Sequence, residues 1–181
     1  MVDTLGFHYE AYRAVFEGIG IRLLPEEFYP HLGGKAAEAI PLFLAGRDSP
    51  ISINVIHERK KRVIAGLFAK GEITVLPAAG FLMLLHGRLP IALVSSGARE
   101  GIELLLERLG WTTYFDIIIT GEDTPMSKPD PMPYLLAAEK LGIAPNHIAV
   151  FEDTPAGLIS AKRAGMSVFD ASLNLKPTFG A

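Results

Sequence analysis

After Pro77 the chain alternates short, wholly apolar runs with helical stretches, and few architectures accept that rhythm. Ile91-Ala92-Leu93-Val94, Ile117-Ile118-Ile119 and Ile148-Ala149-Val150-Phe151 are each too short for a helix and are apolar on both faces, and Ser167-Val168-Phe169 reads as a fourth strand. Such runs suit strands buried inside a parallel sheet. Between them, Ile102, Leu105, Leu106 and Leu109 recur at helical spacing, and residues 131–141 and 155–164 read as two further helices. Strand–helix–strand repetition implies right-handed βαβ units, so the predicted class is α/β with a Rossmann-type parallel sheet.

The preceding stretch has a different texture. From Thr4 to about Ala69 the pattern is helical with no convincing strand. Leu5, His8, Tyr9, Tyr12, Val15, Phe16 and Ile19 form one apolar face. Thr4 is expected to cap this helix through its hydroxyl, and Gly18 and Gly20 to stop it. Pro25 opens another helix, Leu32-Gly33-Gly34-Lys35 is a turn, and residues 36–44 and 51–69 are again helical.

Composition narrows the function classes. A formal charge of −3 offers no footprint for a polyanion, so nucleic acid is a poor partner. The chain has no cysteine, which removes disulfides, thiolate metal sites and a cysteine nucleophile. Apolar runs such as residues 80–85 are far too short to span a bilayer, and no signal peptide is visible. The expectation is a soluble, cytoplasmic protein.

In open parallel sheets, ligands bind just beyond the carboxyl ends of the strands, and three polar clusters lie there. Ser95-Ser96-Gly97 closes the first run, where a hydroxyl and amides at the next helix start suit a phosphate oxygen; a plain helix cap is the alternative. Ser127-Lys128-Pro129-Asp130-Pro131 follows the second, and a lysine before proline can be aimed; a solvated turn is the alternative. Glu152-Asp153 closes the third, and two adjacent carboxylates suit hydrated Mg²⁺; acids welcomed by a helix dipole are the alternative. Together, in this order, they could hold a phosphoryl group against a magnesium ion.

These motifs resemble the haloacid dehalogenase (HAD) superfamily, within it the β-phosphoglucomutase-like group of phosphatases and phosphomutases with a helical cap. IALVSSG is similar to the family's second motif, SKPDP to its third, and VFEDTPAGLISAKRAGM to its fourth. The resemblance implies a cap over residues 5–72 and a core of residues 1–4 and 73–181. It implies Ser95 and Lys128 as catalytic groups, Glu152 and Asp153 as magnesium residues, and Ser96, Gly97, His8, Lys35 and Lys60 on the substrate side. The substrate class implied is a small phosphorylated metabolite such as a sugar phosphate, with hydrolysis or a β-phosphoglucomutase-type isomerisation as the reaction.

The same resemblance sets a further expectation. In the family, a strand carrying Asp-x-Asp-Gly precedes the Val2-Asp3-Thr4 stretch and supplies the nucleophile and the general acid–base. This sequence begins after it, and Asp3 matches neither residue. The expectation is therefore a core lacking its central strand and shortened at both ends, weak Mg²⁺ binding, and little or no turnover. Losing that strand would separate its neighbours by about 9–10 Å and expose two edges to self-association or a strand-donating partner. A non-catalytic binder of phosphorylated ligands is the competing class.

Overall fold

The computed structural model describes residues 1–31 and 35–173. Leu32, Gly33 and Gly34 of the expected turn, and residues 174–181, lie outside the described residues. The chain opens with a two-residue strand β1 (Val2–Asp3) and passes directly into helix α1 (Leu5–Glu17). Thr4 makes no side-chain cap there; instead Asp3 Oδ1 accepts the Leu5 amide at 3.1 Å. Pairing fixes Asp3 opposite Thr74, and its carboxylate, one position earlier than expected, meets the orphan amide. As expected, the helix ends at Glu17, and the chain then turns through Gly20 at φ 78°.

Helices α2 (Pro25–Phe28), α3 (Ala36–Leu44) and α4 (Ile53–Lys70) follow. Their apolar faces close on α1 around Tyr12, Phe16, Phe28, Ile40, Phe43 and Ile56, all buried. Phe43 meets Tyr12 and Phe16 edge-on, with centroids 5.0 and 6.2 Å apart, an arrangement that adds quadrupole attraction to burial. Ser52 caps α4 by accepting from Val55 N.

Beyond α4, β2 (Thr74–Val75) pairs antiparallel with β1. This pair escaped the periodicity because two residues carry no pattern. Helix α5 (Ala79–Leu85) lies within the stretch read only as an apolar run. The remaining elements follow the expected alternation: β3 (Ala92–Val94), α6 (Arg99–Leu109), β4 (Ile117–Ile119), α7 (Met132–Leu141), β5 (Ala149–Glu152), α8 (Pro155–Arg163) and β6 (Ser167–Asp170).

The parallel strands form two separate pairs. β3 pairs with β4, with Leu93 opposite Ile118, and β5 pairs with β6, with Val150 opposite Val168. Among the described residues the two pairs share no strand–strand ladder. Helix α7 ties them together from one side, because Tyr134 and Ala138 pack with Val150 and with Val94 in a single apolar cluster. Leu82, Leu106 and Trp111 gather Leu93 and Ile118 in another. A third cluster, Ala11, Ile64, Phe68 and Leu105, joins the helical region to α6. No helix among the described residues is long and apolar enough to cross a membrane.

Truncating Phe43 to alanine removes a buried ring from the aromatic cluster. The expected cost is about 3–5 kcal/mol, read from the midpoint of urea unfolding.

Candidate active site

The carboxyl ends of β3 and β5 open onto one cleft of about 400 Å³, bounded on its other side by α1 and α4. Ser95, Lys128, Glu152 and Asp153 line it from the α/β side, and His8, Tyr12 and Lys60 from the helical side. The three polar clusters thus converge, as strand ends in a parallel sheet must.

At its centre is a buried ion pair. Lys128 Nζ lies 2.6 Å from Glu152 Oε2 and 3.1 Å from the Val94 carbonyl, and both side chains are buried. Tyr134, on the first turn of α7, donates its hydroxyl to the same Glu152 oxygen at 2.6 Å. The other oxygen, Oε1, accepts from the amides of Asp153 and Thr154, each at 3.0 Å, and from Thr154 Oγ1 at 2.9 Å. Burial alone would push the Glu152 carboxyl up, but Lys128 and these donors outweigh it and hold it down at about 2.

The donor count separates the two acids. A carboxylate has about four lone-pair positions, and Glu152 already serves five donors. Asp153 faces the cleft; partial burial, then the Glu152 charge, pushes its carboxyl up. No group of three or more His, Asp or Glu that could hold a metal occurs among the described residues. Mg²⁺ is commonly held by one or two carboxylates plus phosphate oxygens and water, so Asp153 is compatible with it as a single ligand backed by Glu152.

The first cluster is tightly folded. Ser95 Oγ accepts the Gly97 amide at 3.1 Å, and the Gly97 carbonyl accepts from Gly121 N at 2.9 Å. The Gly97 amide therefore serves its own turn. Ser96 lies in the cleft wall between them. A methyl group at Gly121 would sit 2.5 Å from the Ser96 carbonyl, so the two loops approach through glycine.

Across the cleft, Lys60 is buried, its Nζ 3.0 Å from His8 Nδ1 and 5.2 Å from the centre of the Tyr12 ring. Burial lowers the Lys60 ammonium to about 8, and burial together with Lys60 lowers the His8 imidazole to about 3. Lys35, expected on the substrate side, turns its ammonium onto the Thr124 and Pro125 carbonyls. Nearby, Ser127 donates to Glu38 Oε2 on α3.

Tyr134 and Glu38 are not singled out by the sequence, and Thr154 and Gly157, which lie within the fourth motif, receive no role of their own there. Thr154 had a readable signal, since Thr-Pro opens a helix and Thr154 Oγ1 accepts the Gly157 amide at 3.1 Å. Tyr134 had none beyond an apolar helical position. Gly157 had none either, yet a Cβ there would overlap Glu152 Cδ and Oε2.

A family model described as haloacid dehalogenase-like hydrolase matches residues 1–171. The chain belongs to this family. It is 33% identical to the phosphorylated carbohydrates phosphatase of Thermotoga maritima over 92% of its length and 77% of that protein. The structure of CbbY from Rhodobacter sphaeroides in complex with phosphate superposes with a TM-score of 0.85 at 27% identity, covering 93% of this chain and 80% of that one. β-Phosphoglucomutase from Clostridium difficile, 22% identical over 93% of this chain and 78% of its own, shares the fold at a TM-score of 0.82. The chain is thus a haloacid dehalogenase-like α/β protein with β-phosphoglucomutase-like and CbbY-like structural neighbours.

Two outcomes follow from the geometry. Gly157→Ala should expel the Glu152 carboxylate, strand Lys128, and cost about 3–5 kcal/mol in urea unfolding. Lys60→Met should stabilise the protein at pH 7 by about 1–3 kcal/mol, because a depressed ammonium is a buried charge without a carboxylate. The sign is set by proton binding: between the folded value of about 8 and the unfolded value of 10.5 the unfolded chain holds the extra proton. Wild-type stability therefore rises with pH through that window, and Lys60→Met should flatten the rise in melts taken from pH 7.5 to 10.5.

Proposed function

We propose that the cleft binds the phosphoryl group of a small phosphorylated metabolite, a sugar phosphate by kinship with the carbohydrate phosphatase and the phosphate-bound CbbY. The observation that carries this reading is the Lys128 ammonium. It is buried at the cleft wall and uses two of its three N–H groups on Val94 and Glu152, which leaves one for an anion. Ser95, which follows the Val94 carbonyl held by Lys128, is assigned to orient a phosphate oxygen, with Ser96 and Gly97 shaping that wall. Residues 5–72 act as the cap, closing over the remainder of the chain, excluding water and presenting Lys60 and His8 to the metabolite.

Asp153 is the residue we assign to Mg²⁺, with Glu152 holding Lys128 and the Asp153–Thr154 backbone behind it. When bound, Mg²⁺ supplies positive charge against the phosphoryl oxygens. With one carboxylate, its affinity should be weak.

Turnover is a separate matter. Of the acids near Lys128, Glu152 is saturated with donors and Asp153 is assigned to the metal. Neither is then placed to accept a phosphoryl group as a nucleophile. The reading is therefore a phosphate-binding site whose catalysis in this 181-residue chain is slight. The test is a colorimetric phosphate-release assay with magnesium and a panel of sugar phosphates. Release by the wild type is expected to match that of Lys128→Ala; clear turnover that depends on Lys128 would show that a nucleophile is at work.

A further inference from the structure

Tyr134 is a buried side chain that touches both members of the central ion pair. Its hydroxyl donates to Glu152 Oε2, and its ring lies beneath the Lys128 ammonium, 5.1 Å from Nζ to the ring centre. It is 4% exposed, so its hydroxyl has no water to turn to and needs this carboxylate. We propose that Tyr134 is a positioning residue for anion binding: it holds Glu152 and Lys128 so that the ammonium keeps a donor for phosphate.

The argument is a division of labour on one oxygen. Glu152 Oε1 is pinned by the Asp153 and Thr154 amides and Thr154 Oγ1, which fixes one edge of the carboxylate. Oε2 is shared between Lys128 and Tyr134, both at 2.6 Å. A neutral donor on that oxygen draws off part of its negative charge, so it competes with the ammonium. Remove the hydroxyl and Oε2 falls to Lys128 alone; the ammonium is drawn fully onto the carboxylate and offers less to an incoming anion.

The ring acts from below in the same sense. The face of an aromatic ring attracts a cation, and this second hold helps to fix where the ammonium sits.

The tether is local. Tyr134 lies six positions after Lys128, and its amide is held by the Pro131 carbonyl at 3.1 Å. Met132 N donates to Asp130 Oδ1 at 2.9 Å, and the Asp130 carbonyl accepts from Ser160 Oγ at 2.5 Å. The lysine loop, the start of α7 and α8 are thereby joined, so the phenol cannot shift without disturbing that network. Arg163 adds to it by donating to the Pro129 carbonyl at 3.2 Å.

This inference rests on the proposed phosphate site, and the experiment separates the two. Binding of inorganic phosphate is measured by calorimetry at one pH, without metal, for the wild type, Tyr134→Phe, Lys128→Ala and the double variant. Tyr134→Phe is expected to weaken phosphate binding about five- to tenfold, and to have no further effect once Lys128 is gone. A loss that adds fully to that of Lys128→Ala, or an affinity equal to the wild type, overturns the positioning role and leaves the site intact. Wild-type protein that does not bind phosphate, or binds it indifferently to Lys128, removes the site and this inference with it. Melting curves accompany each variant. Should Tyr134→Phe fail to fold, Tyr134→His takes its place in the same cycle, where the coupling to Lys128 remains the readout. A ligand-free reading comes from the Lys128 ammonium resonance, which Tyr134→Phe is expected to shift; an unmoved resonance counts against the role.

Discussion

Two opposite charges buried between two strand pairs set the terms for everything around them. A lone carboxylate or ammonium in that place would be several kcal/mol too costly, so Lys128 and Glu152 must meet. Their meeting requires the loop before α7 and the end of β5 to come within hydrogen-bonding reach. It also requires the backbone of residues 153–154 to turn its amides inward. Gly157 follows from the same demand, since α8 must pass the carboxylate so closely that no side chain fits. The pair is therefore weak evidence for stability but strong evidence for a fixed arrangement, and the arrangement stands at a cleft.

The helical region faces that arrangement with a cation of its own. Among the described residues Lys60 meets no carboxylate; it has an imidazole and a phenol ring. Its burial therefore counts against the resting fold. Both walls present positive charge, while the acid that could neutralise Lys128 is spread over five donors. The phosphate proposed for the cleft would bring negative charge to both walls. The family membership and the phosphate-bound relative support the same proposal.

Much of this was legible in the residues. The short strand signals marked β3 to β6 within a residue or two, although β6 leaves Ser167 and Phe169 exposed and is not buried on both faces. Their carboxyl ends pointed to Ser95, Lys128, Glu152 and Asp153 before any coordinates were needed. What stayed hidden was partnership. Tyr134 reads as one more apolar position on α7, and nothing local tells that its hydroxyl reaches Glu152, eighteen residues away. Glu152 and Asp153 look interchangeable in the string, and only the donor geometry divides them. Lys35, placed on the substrate side by resemblance, lines the cleft, and nothing local tells that its ammonium also binds carbonyls of a loop 89 residues on. Thr4 was given a capping role that Asp3 performs, since the β1–β2 ladder that fixes Asp3 is too short to leave a pattern.

The hydrogen bond from Ser127 to Glu38 links the helical region to the residue next to Lys128. Lys35 grips the same loop three residues earlier, so α3 is fastened to the segment that carries Lys128. Any movement of α3 away from that loop, as the proposed cap would require, would break both attachments at once. Entry to the cleft and the stiffness of its floor are thus one mechanical variable, and a substitution on the outer helix would be felt at an ammonium it never touches.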